Sequence, residues 1–363
     1  MKMTEILNAL PTPTWRHLGV NAAPKAAALP EVPAEGFGAS NTTYELPEGT
    51  ACTPLQPQEC TGFDSGLGQT ADRWIQQNAS FTRFFKAEGK AAAPAFLREH
   101  LDAEHQSAVT HTAIHAKPGS EITFVQVITD ETESGGLSAS LTQICAEADS
   151  RVTLIQLQLL SADTRRYNAV AAKCAEGAKV TIVRADLGAA VTVSGARALL
   201  PERQSEFELS SIYYGDMDAI LDFNDVAVHT ARDTHSELHT AGVLADRAQK
   251  VLRGTIDFQR GAVNAVGHES EDVLLFSPTV RNRTAPLILC GEEQVEGQHA
   301  ATSGRLNEEL LYYLRSRGLS EAEAKRLMVR ARFAPVLDAI PDDALRQAAE
   351  ETIARRLEHA QIQ

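Results

Sequence analysis

The chain has 363 residues, and its 34 basic and 48 acidic side chains give a formal net charge of −14. This charge excludes proteins that bind nucleic acids through a basic surface, because neutralising phosphates requires an excess of Lys and Arg. At 43% hydrophobic and 23% charged residues, the composition is typical of a globular protein, and the length predicts two or three structural units.

Signals for export or membrane insertion are absent from the sequence. No apolar run is long enough to span a membrane, and the first residues lack the apolar stretch of a signal peptide. The five cysteines are scattered, and the nearest pair, Cys52 and Cys60, has no zinc or redox spacing, so free thiols are expected. We therefore expect a cytoplasmic protein that does not bind membranes.

Residues 1–105 are predicted to form an irregular and helical N-terminal region. Residues 10–67 are rich in Pro and Gly, which is typical of a segment lying on the surface of a folded body, and we expect Trp15 to anchor it there. Residues 70–101 then combine helix formers with apolar residues at helical spacing, which predicts one broken helix or two short ones. The apolar residues are Trp74, Ile75, Phe81, Phe84, Phe85, Phe96 and Leu97.

Between residues 106 and 300 the hydrophobic period changes to two, and only residues 243–252 look helical. Three segments of this region align with one another, so that Thr123, Thr153 and Thr181 become equivalent at spacings of 30 and 28 residues. Such a repeat predicts a parallel β-solenoid, in which each coil stacks on the previous one. An immunoglobulin-like sandwich would show turn signals without the self-similarity and is the second choice.

The same alignment places His115, Cys145 and Cys174 at one position of successive coils. A column of this kind could resemble a ladder of metal ligands. Since Cys behaves as a small hydrophobic residue when buried, we expect packing in a column instead.

A second group of polar residues is the richest set of potential metal ligands in the chain: Asp222, Asp225, His229, Asp233, His235 and His239. His235 and His239 have the spacing that zinc hydrolases use on a helix, but Glu237 lies one place too late for the catalytic base. The neighbouring residues alternate as in a strand. We therefore expect solvent-facing polar residues, with a metal site as the alternative.

Residues 301–363 are predicted to be helical. An apolar stripe opens this region, Gly318 ends its first helix, and Ser320 with Glu323 forms a capping box for the next one. Pro335 should end that second helix, and residues 342–357 should form the last. We expect the region to close the end of the solenoid and, since three helices exceed what a cap needs, to dock a partner. The stripe consists of Leu306, Leu310, Leu311 and Leu314.

The tail of the chain resembles a known family. The segments VEGQHAATSGRL and YYLRSRGLSEAEAKRLM, both within residues 292–333, are similar to the tail of the SufB/SufD family of iron–sulfur cluster assembly proteins. The segment THSELHTAGVLADRAQKVLRGTIDFQRGA at 234–262 and LPTPTW near the N-terminus also resemble family segments. The resemblance covers nearly the whole chain and is strongest over its last third.

Two departures favour the SufD type over the SufB type. SufB-like chains carry Cys-Asp-Ser upstream of a histidine that corresponds to His299, and a glutamate directly after it. Here the stretch around Glu271 has no cysteine, and Ala300 follows His299. The SufD pattern is also broken, because Gly297 stands where the family has a cysteine; Cys290, seven positions upstream, is not expected to replace it.

The resemblance implies a mainly β fold, a right-handed parallel β-helix flanked by N-terminal and C-terminal α-helical regions. It implies a non-catalytic scaffold that pairs with a SufB-like paralogue and with the ABC ATPase SufC, and a transient iron–sulfur cluster shared with SufB, for which His299 would be a ligand. Aromatic and Arg residues are frequent interface anchors, and five residues on the first C-terminal helix are expected to bind the ATPase. They are Tyr312, Tyr313, Leu314, Arg315 and Arg317.

Other functions remain open at this point. The sequence has neither a P-loop nor a nucleophile elbow, so the chain itself is expected to be neither an ATPase nor a serine hydrolase. A β-helix enzyme acting on a polysaccharide and a metal-free solenoid adaptor are the alternatives. Flavin binding and a homodimer of the isolated chain are left undecided.

Overall fold

The structure, a computed structural model, describes residues 6–54, 62–131 and 135–359. Cys60 lies outside these residues. The helices are α1 Gln69–Asn78, α2 Glu308–Ser316, α3 Glu321–Leu337 and α4 Asp343–His359, with short 3₁₀ turns at Arg16–Leu18 and Lys25–Ala27. The strands are β1 Asn41–Glu45, β2 Thr50–Thr53, β3 Phe81–Ala87, β4 Ala95–Leu101, β5 Ser107–Ala116, β6 Glu121–Asp130, β7 Leu137–Ala146, β8 Arg151–Leu159, β9 Arg165–Cys174, β10 Lys179–Asp186, β11 Val191–Leu200, β12 Glu206–Gly215, β13 Ile220–His229, β14 His235–Leu244, β15 Gln249–Phe258, β16 Ala265–Leu275, β17 Arg281–Cys290 and β18 Val295–Arg305.

The strands form two facing sheets of nine strands each. The first sheet has the order β1-β4-β6-β8-β10-β12-β14-β16-β18, and the second has β2-β3-β5-β7-β9-β11-β13-β15-β17. Only β1 and β2 run antiparallel to their neighbours in the described part of the chain. Each coil thus contributes one strand to each sheet, and the predicted parallel β-solenoid with flanking helices is confirmed.

The corner between the two sheets explains the Gly- and Asp-containing turns of the repeat. One residue per coil adopts a left-handed backbone with φ near 60°, which Gly, Asn and Asp tolerate best. It recurs at Gly119, Asp149, Gly177, Gln204, Asp233 and Asn264. The chain therefore turns at the same place in six successive coils.

The predicted register is confirmed for the threonines, since Thr153 pairs with both Thr123 and Thr181. His115 also pairs with Cys145 as expected. The expectation for Cys174 is wrong by one residue, because Cys145 pairs with Lys173. Cys174 therefore faces the core between the sheets, on the side opposite to Cys145.

Two helical predictions are wrong. Within residues 70–101 only α1 is a helix, because Phe81, Phe85 and Leu97 are inward residues of β3 and β4 that pack between the sheets. Residues 243–252 comprise the end of β14, a tight corner and the start of β15. The stack of parallel strands consequently begins at β3.

Residues 6–29, here called the N-terminal strap, lie with α1 on the outer face of the second sheet. Asn8 is fully buried and donates to Asp222 Oδ1 at 2.7 Å, while Leu10 and Val20 pack beside Val251. Trp15 is 75% exposed, so the expected anchor is wrong. The strap is held by buried residues on either side of the turn that carries Trp15.

The C-terminal helices α3 and α4 pack along the outer face of the first sheet. Val329 and Phe333 are buried there against residues such as Val183 and Ile212. The capping box of Ser320 and Glu323 is confirmed. The expectation that this region covers the end of the solenoid is wrong, because its apolar residues face the side of the stack.

Pro335 was expected to end α3, and this is also wrong. The helix continues to Leu337 with the proline inside it. Pro335 removes the N–H that would bond the carbonyl of Ala331, and both residues are exposed to water. Burial of Val336 and Leu337 against the first sheet favours the last helical turn.

Candidate functional site

The stack of coils ends at an uncovered pair of strands. β17 and β18 are the outermost strands of the two sheets, and no described strand pairs with their outer edges. All residues of β18 after Val295 are exposed, and those of β17 are exposed or half-buried. We call this surface the open end; it presents free backbone N–H and C=O groups and the mouth of the solenoid interior.

His299 lies on β18 at the open end. It pairs in register with Glu269 of β16, whose side chain faces the interior, so His299 also lies on the interior side of its strand. Its ring is exposed and makes no hydrogen bond to another described residue. The imidazole is therefore available to a ligand that enters from the open end.

Glu269 is the next residue inward, one coil below His299. Its side chain is only 6% exposed, and its Oε2 has no hydrogen-bond partner among the described residues. Burial raises the pKa of this carboxyl to about 8, with further contributions from Asp225 and Glu271. Its carboxyl lies over Gly254, where an added Cβ would come within 1.7 Å of Oε1.

The neighbouring acid Glu271 is fully satisfied, in contrast to Glu269. Lys250 Nζ donates to its Oε1 at 2.5 Å, and Tyr213 and Thr284 donate through their hydroxyls at 3.0 and 2.5 Å. Burial lowers the pKa of Lys250, although the Glu271 carboxylate opposes that shift. The lysine therefore neutralises Glu271, leaving Glu269 without a hydrogen-bonded cation.

The position of the missing family cysteine is explained by packing. A Cβ on Gly297 would lie 2.9 Å from Phe258 Cε2 and 3.3 Å from two carbons of Ile288. The aromatic ring therefore occupies the space that a side chain at residue 297 would need. Cys290 lies at the end of β17, exposed, with its Sγ 3.1 Å from the carbonyl oxygen of Glu292.

The polar side chains within residues 222–239 do not meet at one common site. The strand prediction is confirmed, but Asp222, Asp225 and His229 are buried instead of solvent-facing. Asp222 pairs with Arg253 at 2.7 Å on the outer face of the second sheet, beneath the N-terminal strap. Asp225 pairs with Arg184 at 2.8 Å inside the solenoid.

The remaining members lie at corners or on the outer face of β14. Asp233 pairs with Arg203 at 3.0 Å, and His239 is hydrogen-bonded to Ser270. Within the described ranges, no group of three or more His, Cys, Asp or Glu side chains is arranged to hold a metal ion.

Helix α2 is the most exposed helix of the C-terminal region and has no buried residue. Tyr312 and Tyr313 are 76% and 51% exposed, and Arg317 lies 5.2 Å from the Tyr313 ring centre. Arg315 is exposed near Glu321, and Leu314 is half-buried. The five residues expected to bind a partner thus form a largely uncovered aromatic and cationic surface.

A surface cavity of about 640 Å³ beside α4 is rich in acidic residues. Asp130 accepts hydrogen bonds from Ser161 and Thr164, and Asp216 pairs with Arg356. These two carboxylates hold corners and α4 in place. Their pairing favours a structural role over the acid catalysis of a polysaccharide-cleaving enzyme.

The sequence did not single out Glu269 or Gly254. An available signal was the alternation in β16, which puts Glu269 on the same face as the small residues Ala265 and Gly267. The glycine within β15 was a second signal, because glycine inside a strand often marks a close approach of another group.

Comparison with known proteins identifies relatives. Residues 99–332 match the family model described as "SUF system FeS cluster assembly, SufBD core domain". The chain is 28% identical over 152 residues to the iron–sulfur cluster assembly protein SufD of Bacillus subtilis, covering 40% of this chain and 35% of that protein. For SufD of Escherichia coli the identity is 25% over 171 residues, covering 47% and 40%.

A third relative is an iron–sulfur cluster assembly SufBD family protein of Mycobacterium leprae, 24% identical over 242 residues. That match covers 66% of this chain and 28% of the relative. The chain thus spans less than half the length of each of these curated relatives. None of the described helices is long and apolar enough to cross a membrane.

Proposed function

The chain belongs to the SufBD family of iron–sulfur cluster assembly proteins, and from this premise we propose that it is a SufD-like, non-catalytic scaffold subunit. In this role it acts in the cytoplasm, pairs with a SufB-like paralogue, and docks a SufC-like ABC ATPase. A transient iron–sulfur cluster is built where the two paralogues meet. The observation that carries the proposal is the open end, where two unpaired strand edges lie beside an exposed, interior-side histidine.

The strand edges support pairing with another solenoid. Unpaired edges attract further strands, and proteins normally cover or blunt them. β17 and β18 end side by side, so a partner with the same two-strand coil can extend both sheets at once. A SufB-like paralogue meets this requirement, and in its absence a second copy of this chain is the expected occupant.

His299 supports a role in holding iron at this junction. Imidazole is a suitable iron ligand, and a neutral nitrogen ligand is released more readily than a thiolate. A site that must pass its cluster on benefits from such a ligand. Because residue 297 is glycine, His299 acts here without the thiolate that the family carries two residues before this histidine.

Helix α2 supports docking of the ATPase. Exposed Tyr and Arg side chains are the residue types that most often contribute strongly to interfaces. The helix begins three residues after β18 and packs against α3. In the proposed complex α2 binds the ATPase while β17 and β18 bind the paralogue. ATP-driven movement of the docked ATPase would then reach the junction through α3 and the first sheet.

The test is co-expression of the chain with its SufB-like and SufC-like partners, followed by measurement of iron and sulfide in the purified complex. His299→Ala should leave the complex assembled and greatly lower its iron and sulfide content. His239→Ala is the matched control, since this histidine lies on the outer face of β14, two coils away. Full cluster content in the His299→Ala complex would refute the role of this histidine, and a chain that binds neither partner would favour a metal-free adaptor.

A further inference from the structure

We propose that Glu269 is a second ligand for the iron bound by His299, held one coil deeper in the open end. This inference rests on the proposed function of His299. It concerns a residue that the sequence motifs do not mark, and the remaining ligands would be water or groups of the partner.

Register brings the two side chains together. His299 and Glu269 are direct partners in a parallel ladder, where adjacent strands lie about 4.8 Å apart. Both side chains are on the interior side, and the column continues inward with Leu238. An imidazole and a carboxylate at this separation can reach the same ion, and both are ligand types that suit Fe(II).

The charges of the interior single out Glu269. Two other buried acids of the interior near Glu269 have a cationic partner: Asp225 pairs with Arg184, and Glu271 with Lys250. Glu269 has neither an ion pair nor a hydrogen bond to its Oε2. A buried carboxyl group without such partners is costly, and a metal cation at the open end would supply the missing charge.

The interior also leaves room for the Glu269 carboxyl. The absence of a side chain at Gly254 leaves the room that the carboxyl fills. The last coil, with β17 and β18, is the only described layer between this carboxyl and the open end. A cation held by His299 would lie one strand away from Glu269 in the ladder.

The experiment measures Co²⁺ binding by the purified full-length chain, from its visible absorption and by calorimetry, as an air-stable substitute for Fe(II). The variants are Glu269→Gln and His299→Ala, with Glu208→Gln as the control carboxylate, on the outer face of β12 and paired with Lys179. Glu269→Gln should weaken Co²⁺ binding by about ten-fold or more and change the absorption spectrum. Its melting temperature should not fall, because glutamine has nearly the same size and Glu269 Oε2 has no hydrogen bond to lose; a residue with a purely structural role would instead show lower stability and unchanged binding.

The outcomes separate this inference from the proposed function. Wild-type affinity in Glu269→Gln, with loss of binding in His299→Ala, overturns the role of Glu269 and leaves that of His299. Wild-type affinity in His299→Ala overturns both, and absence of Co²⁺ binding by the wild-type chain overturns the two-ligand site. If Glu269→Gln does not fold, Glu269→Leu takes its place, since Leu238 already occupies the next position of the column.

Discussion

His229 is buried in its uncharged form, and this makes the stability of the solenoid depend on pH. The ring is hydrogen-bonded to Thr234 Oγ1 at 2.7 Å and Ser236 Oγ at 2.8 Å. Burial, together with the nearby His235, lowers its pKa from 6.5 to about 4. Between these two pKa values His229 binds a proton in the unfolded chain but not in the folded chain. The contribution of neutral His229 to the free energy of unfolding is therefore complete above pH 6.5 and is lost as the pH falls towards 4.

The size of the effect follows from the shift. A difference of 6.5 − 4 = 2.5 in pKa, at about 1.36 kcal/mol per unit, corresponds to about 3 kcal/mol. His229→Gln retains hydrogen-bonding capacity but cannot titrate. Urea unfolding from about pH 7 to about pH 4 should therefore show the wild type losing about 3 kcal/mol more than the variant. His239→Gln, on the outer face, should follow the wild type; parallel curves for wild type and His229→Gln would refute the reasoning.

Two further predictions concern the interior and the helical surface. Gly254→Ala should destabilise the protein by about 2 kcal/mol in urea unfolding, because its Cβ would collide with the Glu269 carboxyl. Adding Glu269→Ala to the same chain should restore most of the lost stability. Equal losses in the single and double variants would contradict this contact. The double variant Tyr312→Ala, Tyr313→Ala should bind the SufC-like ATPase at least about ten-fold more weakly in a pull-down titration, with an unchanged circular dichroism spectrum. The control variant Arg355→Ala on α4 should bind the ATPase normally. Unaltered affinity of the tyrosine variant would exclude α2 as the docking helix.

The solenoid could be predicted because its cause is local. A left-handed corner recurs in six successive coils and is occupied by Gly, Asp or Asn in five of them, and the strands between corners alternate in polarity. Residues 81–101 were misread because apolar residues at 81, 84 and 85 fit both a helix and a strand. Pairing of β3 with β5 and of β4 with β6 decides between them, and these are contacts between different coils.

The candidate site could be predicted only in part, because its contacts also join different coils. His299 was found through its motif and lies on an exposed strand. Asp222 and Asp225 were misjudged because their arginine partners lie 31 and 41 residues away in the sequence. Glu269 could be recognised only once the register with His299 and the glycine beneath its carboxyl were known.

The N-terminal strap gives the folding of this protein an order that a simple solenoid would not have. In a repeat protein each coil normally contacts only its neighbours, so folding can spread from any point. Here Val20 accepts a hydrogen bond from Arg253, which lies 233 residues later. During synthesis the contacts of Leu10 and Val20 must therefore wait until β15 has been made. A chain that stalls before β15 would lack these contacts, so the strap couples the start of the described chain to one of its late coils.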